Sequence, residues 1–165
     1  MPSAPIENLS QLYLRPGFML RRAHQISVAI FEGSCARLGL SPAQYAVLVA
    51  LHELPGSAQG QLGRVLGMNK VTVSQVVKVL EERGWVARTT GTGDRRCRQL
   101  VLTRSGKSTI RRAAGMVQQA YDTLMSPFDA TERALFTQLL QKAVCELEPH
   151  ARAALEPIAE QDGTA

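Results

Sequence analysis

Between Ser57 and Thr103 the residue spacing admits little except two short helices turned against each other and a hairpin behind them. Gln59 to Leu66 sets Leu62, Val65 and Leu66 at i, i+3 and i+4, one face of a helix. Gly67 then stops it, because glycine enters the left-handed conformation without a Cβ clash. After Met68 and Asn69, the run Lys70 to Arg83 puts Val73, Val76, Val77 and Leu80 on one stripe and leaves Thr72, Ser74, Gln75 and Lys78 to the other sides. Gly84 ends this second helix. Trp85 to Thr90 is rich in aromatic and β-branched residues, as a strand is. Gly91 to Arg96 reads as a turn, and Arg98 to Leu102 as a returning strand.

A two-helix corner followed by a cationic hairpin predicts a winged helix-turn-helix, so the expected fold is mainly α with a small β-wing. Such a corner offers its second helix to the major groove of DNA, while hairpin arginines reach an adjacent narrow minor groove. Asn69, Lys70, Thr72, Ser74, Gln75 and Lys78 lie at or near the groove-facing end. Gln75 has the bidentate geometry for adenine. Thr72 offers a methyl to thymine or a hydroxyl to phosphate, and the lysines suit phosphate. Arg95, Arg96 and Arg98 are the hairpin's candidates. Asp94, the lone acid among them, is expected to brace an arginine by an ion pair.

The segment Leu66 to Arg88 followed by Gly93 to Lys107 resembles the core signature of the MarR family of bacterial regulators. The wing run Asp94-Arg95-Arg96, with Leu102-Thr103 and Gly106 behind it, carries most of that likeness. The resemblance extends more loosely from about Pro16 to Glu146. It implies an intertwined helical dimer, a bracing role for Asp94 and a wing-tip position for Arg96.

Charge distribution agrees with a nucleic-acid surface. From Arg64 to Arg112 there are 12 Lys and Arg against 3 Asp and Glu, a net +9, whereas the remainder carries 7 against 11. Concentrated charge of this kind is an electrostatic footprint; a uniform +5 would say little. Cys35, Cys97 and Cys145 are far apart and lack CxxC spacing, which indicates neither a disulfide scaffold nor a zinc finger. No apolar run approaches a membrane span, and Met1 to Ser10 does not read as a leader, so a cytoplasmic protein without membrane contact is expected.

Upstream, Met1 to Gln11 shows no period and reads as loose, with Leu12, Tyr13 and Leu14 available to a partner. Phe18 to Arg37 is helical and apolar on two sides: Phe18, Met19, Ile26, Ala29 and Ile30 on one, Leu20, Val28 and Phe31 on the other. A helix of that kind is sandwiched. Arg22 projects into the first arc and is either an internally paired or snorkelling arginine, or a bidentate grip for a carboxylate ligand. His24, beside Leu20 and Phe31, is either an interface histidine or a ligand contact. The run Leu20 to Gln25 resembles the first helix of MarR-type regulators that answer to aromatic or phenolic acids. Phe18, Arg22, His24 and Trp85 are therefore the candidate effector residues.

Ser41-Pro42-Ala43-Gln44 is a capping box that opens a helix buried through Tyr45, Val47, Leu48 and Leu51. Beyond the hairpin, Lys107 to Met125 forms a long helix. Asp129-Ala130-Thr131-Glu132 caps a last one repeating Leu135, Phe136, Leu139, Leu140 and Val144. This is more apolar face than the small winged unit needs, and the surplus predicts dimerisation. The expected organisation is an arm and first helix at 1–40, the winged unit at 41–104, dimerisation helices at 105–148 and a fraying tail at 149–165.

These features together predict a homodimeric transcriptional regulator, a repressor, bound to a pseudo-palindromic DNA operator and released by a small aromatic carboxylic acid. A thiol-redox or metal sensor on the same scaffold is the alternative. Nucleophile elbow, HExxH and phosphate loop are all missing, so no catalytic residue, cofactor or metal ligand is assigned.

Overall fold

A computed structural model describes residues 7–90 and 98–156. The elements, in order, are α1 (Leu9–Tyr13), α2 (Pro16–Ser34), α3 (Pro42–Glu53), β1 (Ser57–Ala58), α4 (Gln59–Val65), α5 (Lys70–Glu82), β2 (Val86–Thr90), β3 (Arg98–Leu102), α6 (Arg104–Met125) and α7 (Ala130–Leu147). The chain is mainly helical, with one antiparallel sheet in the order β1-β3-β2.

Local chemistry explains most boundaries. Ser41 accepts a hydrogen bond from Gln44 N–H while the Gln44 side chain accepts from Ser41 N–H, closing the capping box at α3. Asp129 and Glu132 do the same for α7. Thr103 caps α6 through Gly106 N–H. Its hydroxyl also donates to the Gly84 carbonyl at 2.7 Å, and its N–H to that of Trp85 at 3.0 Å, which locks the start of α6 onto the end of the helical corner. Gly106 sits so close to Trp85 that a Cβ would overlap the Trp85 carbonyl oxygen. The Leu102-Thr103 and Gly106 pairing seen in the sequence is therefore a packing requirement.

One core joins α3, α4, α5, the sheet and the first half of α6. Val47, Leu48, Leu51, Leu62, Val73, Val77, Leu80 and Leu100 are essentially inaccessible to solvent. Phe31 enters from α2 and meets Tyr45, ring centroids 5.8 Å apart. The rest of α2 runs along α6.

Several expectations need correction. The first helix ends at Ser34, not Arg37. A short 3-10 turn over Ala36–Leu38 follows, with Gly39 left-handed at φ 56°. Residues before Gln11 are not all loose: Leu9 to Tyr13 is helical, capped by Asn8, and Tyr13 packs on Phe18 with centroids 5.1 Å apart. Ser57 and Ala58, for which no strand is expected, form one because Leu100 and Gln99 of β3 supply the pairing. The segment after Pro149 does not fray through Glu156 but returns to α4, where Glu156 N–H donates to the Arg64 carbonyl at 2.9 Å.

Among the described residues the apolar face of α7 is left largely without cover. Leu135, Leu139, Leu140, Val144 and Leu147 are between 37 and 59% exposed, and α7 buries no residue.

Candidate nucleic-acid interface

The corner between α4 and α5 is closed by backbone. Gly67 is left-handed at φ 58°, and Met68 N–H reaches back to the Gly63 carbonyl at 2.8 Å. Asn69 then starts α5 by accepting a hydrogen bond from Thr72 N–H at 2.9 Å. That bond commits the acceptor half of the Asn69 amide to the helix, so this residue positions α5 before it does anything else. Val73, Val77 and Leu80 enter the core, with Val76 half-buried beside them.

Opposite that buried stripe, Ser74, Gln75 and Lys78 are exposed, Lys70 is exposed because it begins the helix, and Thr72 is half-buried at the margin. Lys78 Nζ is 3.9 Å from Glu82 Oε1, an exposed i, i+4 pair loose enough for a phosphate to displace. Sequence reading passed over Val71, which is 65% exposed on this same outward face. Its residue type suggests core. The signal that would have found it is angular, since Val71 lies about 200° around the helix from Val73.

Not all the basic charge of the region faces outward. Arg83 donates to the Gly39 carbonyl at 2.7 Å and lies over the Trp85 ring, 4.9 Å from its centroid, tying the end of α5 to the turn before α3. Arg88, on β2, makes a two-pronged contact with Glu81 at 2.8 and 3.0 Å and holds the wing's base against α5. Both arginines are structural, so two of the 12 basic residues of the region are engaged by the fold. Asp94, Arg95 and Arg96, together with Cys97, lie outside the described residues. Arg98 opens β3, its backbone paired with Thr90.

The four effector candidates are not gathered in one chain. Arg22, expected inside an apolar arc, is exposed, its guanidinium 3.4 Å from Gln25 Oε1. Part of the arc is uncovered: Met19 and Ile26 are exposed too, while Phe18 and Ile30 are half-buried. His24 is exposed on the same helix. Phe18 is covered by Tyr13 and by the Arg21 guanidinium, 5.0 Å from its ring centroid. Trp85 is half-buried against the core under Arg83. Cys35 is fully buried, and desolvation pushes its thiol pKa up, the opposite of a reactive thiolate. Cys145 is exposed on α7. Among the described residues no three His, Cys, Asp or Glu side chains cluster as a metal site, and no helix is long and apolar enough to cross a membrane.

A capped, outward-facing helix joined through Glu81 to a β-wing defines the winged-helix class of DNA-binding proteins. Residues 38–96 match the MarR family. NicR, a transcriptional repressor of Pseudomonas putida, is 29% identical over 143 residues, covering 86% of this chain and 90% of NicR. The repressor CouR, solved on a 23-mer DNA duplex, gives a TM-score of 0.74 at 30% identity, covering 84% of this chain and 99% of CouR. BpsR of Bordetella bronchiseptica, solved in a study of how 6-hydroxynicotinic acid regulates its DNA binding, gives a TM-score of 0.75 at 26% identity, covering 84% and 96%. The chain belongs to the MarR family and is a DNA-binding transcriptional regulator.

Proposed function

We propose that the chain is a homodimeric repressor whose two α5 helices read half-sites of a pseudo-palindromic operator about 10 base pairs apart, centre to centre. The observation that carries this reading is the sidedness of α5: Val73, Val77 and Leu80 are buried, while Val71, Ser74, Gln75 and Lys78 stand clear on the other side. Gln75 reads adenine, the Val71 methyls meet a thymine methyl, and Lys70 and Lys78 hold phosphates. Asn69 and Thr72 set the helix end, and Arg95, Arg96 and Arg98 serve the wing. Residues 41–104 form the DNA-binding unit, and 1–40 with 105–148 pair the protomers.

Release is by a small aromatic carboxylic acid, held by Arg22 and His24 and flanked by Phe18 and Trp85. One neighbour supports this class of effector, since the DNA binding of BpsR responds to 6-hydroxynicotinic acid, whereas CouR has been solved with p-coumaroyl-CoA, a thioester of an aromatic acid. A coupling of ~1 to 3 kcal/mol between the two sites suffices for useful derepression. The test is duplex selection from a random pool, followed by anisotropy titration with and without a panel of aromatic acids that includes 6-hydroxynicotinic acid. Gln75→Ala is expected to lose sequence preference, and Arg22→Ala to lose acid-induced release while keeping DNA binding. Undiminished sequence preference in Gln75→Ala would overturn the reading of α5. Undiminished release in Arg22→Ala would overturn the effector site.

A further inference from the structure

The chain after α7 does something the DNA-binding reading does not use. A 3-10 turn at Glu148–His150 reverses its direction, closed by Ala151 N–H to the Glu148 carbonyl at 2.8 Å and by Leu155 N–H to Glu148 Oε1 at 2.7 Å. The reversal lays Leu155 over Gly67, in the turn of the helical corner. Glu156 then makes two bonds to one residue of α4. Its N–H donates to the Arg64 carbonyl at 2.9 Å, and its carboxylate lies 3.0 Å from Arg64 Nε. Ala153, Ala154 and Glu156 form one wall of a cleft of about 590 Å³, and Gly60, Arg64 and Lys70 belong to the other.

This location matters because the first helix of such a corner crosses the phosphate backbone while the second enters the groove. Arg64 is on the first and Lys70 begins the second. An arginine fork that accepts a carboxylate also accepts a phosphate. Within the docked run of residues 153–156 the one charged side chain is Glu156, an acid set against Arg64 and Lys70.

We propose that this C-terminal segment is an internal competitor of DNA: Glu156 holds the Arg64 guanidinium in place of a backbone phosphate, and the segment must leave before α4 can make that contact. The proposal rests on the DNA-binding reading above and adds to it a built-in damper on duplex affinity. The test uses the full chain and a labelled mixed-sequence duplex, titrated by anisotropy between ~50 and ~200 mM salt. Glu156→Gln is expected to bind ~3- to 10-fold tighter at the low-salt end, with the log–log salt slope steeper by about 0.9, one phosphate contact. Leu155→Ser, which loosens the segment without touching its charge, should shift binding the same way. Arg64→Gln should abolish the gain when combined with Glu156→Gln. A thermal midpoint within a few degrees of the parent shows that each variant is folded. Unchanged or weaker binding by folded Glu156→Gln would make the segment a brace only and overturn the proposal. A parent chain that binds no duplex at low salt overturns the DNA-binding reading itself, a result distinct from equal binding by parent and variant.

Discussion

The winged-helix unit and the terminal helices use the same materials to opposite ends. In α4 and α5, Leu62, Val77 and Leu80 recur at helical spacing and are wholly buried. In α7, Leu135, Leu139 and Val144 recur just as cleanly, yet each stays more than half exposed. The difference lies in the opposite wall. The winged unit finds α3, β3 and α6 to pack on within its own chain, whereas among the described residues α7 meets little beyond Phe128, which stacks on Phe136, and the turn that follows it. Amphipathic spacing states that a helix needs a partner; it does not state which molecule supplies one.

The contrast can be broken by experiment. Leu80→Ala should cost about 2 to 5 kcal/mol, read from urea unfolding. The loss should persist whatever the protein concentration if this core is complete within one chain. Leu139→Asp should act through association instead. Sedimentation should show the mass falling toward the 18.0 kDa of one chain, and operator affinity should drop roughly a hundredfold as one of two linked grips is lost. A parent protein that sediments as a single chain would remove the distinction between the two regions. Thr103→Ala removes the cap of α6 and its bond to the Gly84 carbonyl, which should lower the thermal midpoint by the equivalent of about 1 kcal/mol.

The smallest expected effect concerns the two described cysteines, Cys35 buried in the core that the winged unit shares and Cys145 exposed on α7. Cys145 should alkylate rapidly in the native protein and Cys35 only on unfolding, as a timed mass-spectrometric series would report. Burial raises the folded Cys35 pKa above its unfolded value because it disfavours the thiolate. That contribution to stability is intact below the ordinary thiol range and is lost as pH rises through it toward the folded value. Cys35→Ala should flatten this alkaline decline. A Cys35 that alkylates in the folded state as fast as Cys145 would revive a thiol-sensing role.

Much of the candidate site was legible in advance because it depends on local chemistry. The second helix is expected over Lys70 to Arg83 and found over Lys70–Glu82, since its valine stripe and the flanking Asn69 and Gly84 act within a few residues. The Ser41 and Asp129 capping boxes are of the same kind. What escaped depends on distant partners. Ser57 and Ala58 carry no strand period and become a strand because β3 lies alongside. Arg83 and Arg88 look like two more cations of a basic patch until Gly39 and Glu81 are seen to hold them. Val71 was hidden by its residue type, and Leu155 and Glu156 by a fold-back that no local signal announces.

By itself the sequence determined the helices of the corner, their caps and the concentration of positive charge, because propensity, capping and composition act over one or two turns. Only the tertiary structure decided which arginines are spent on the fold, which helix faces remain without cover, and that an acidic segment docks beside the first residue of α5. Those outcomes depend on which remote groups come to lie within a few ångströms of one another, and spacing along a chain carries no record of that.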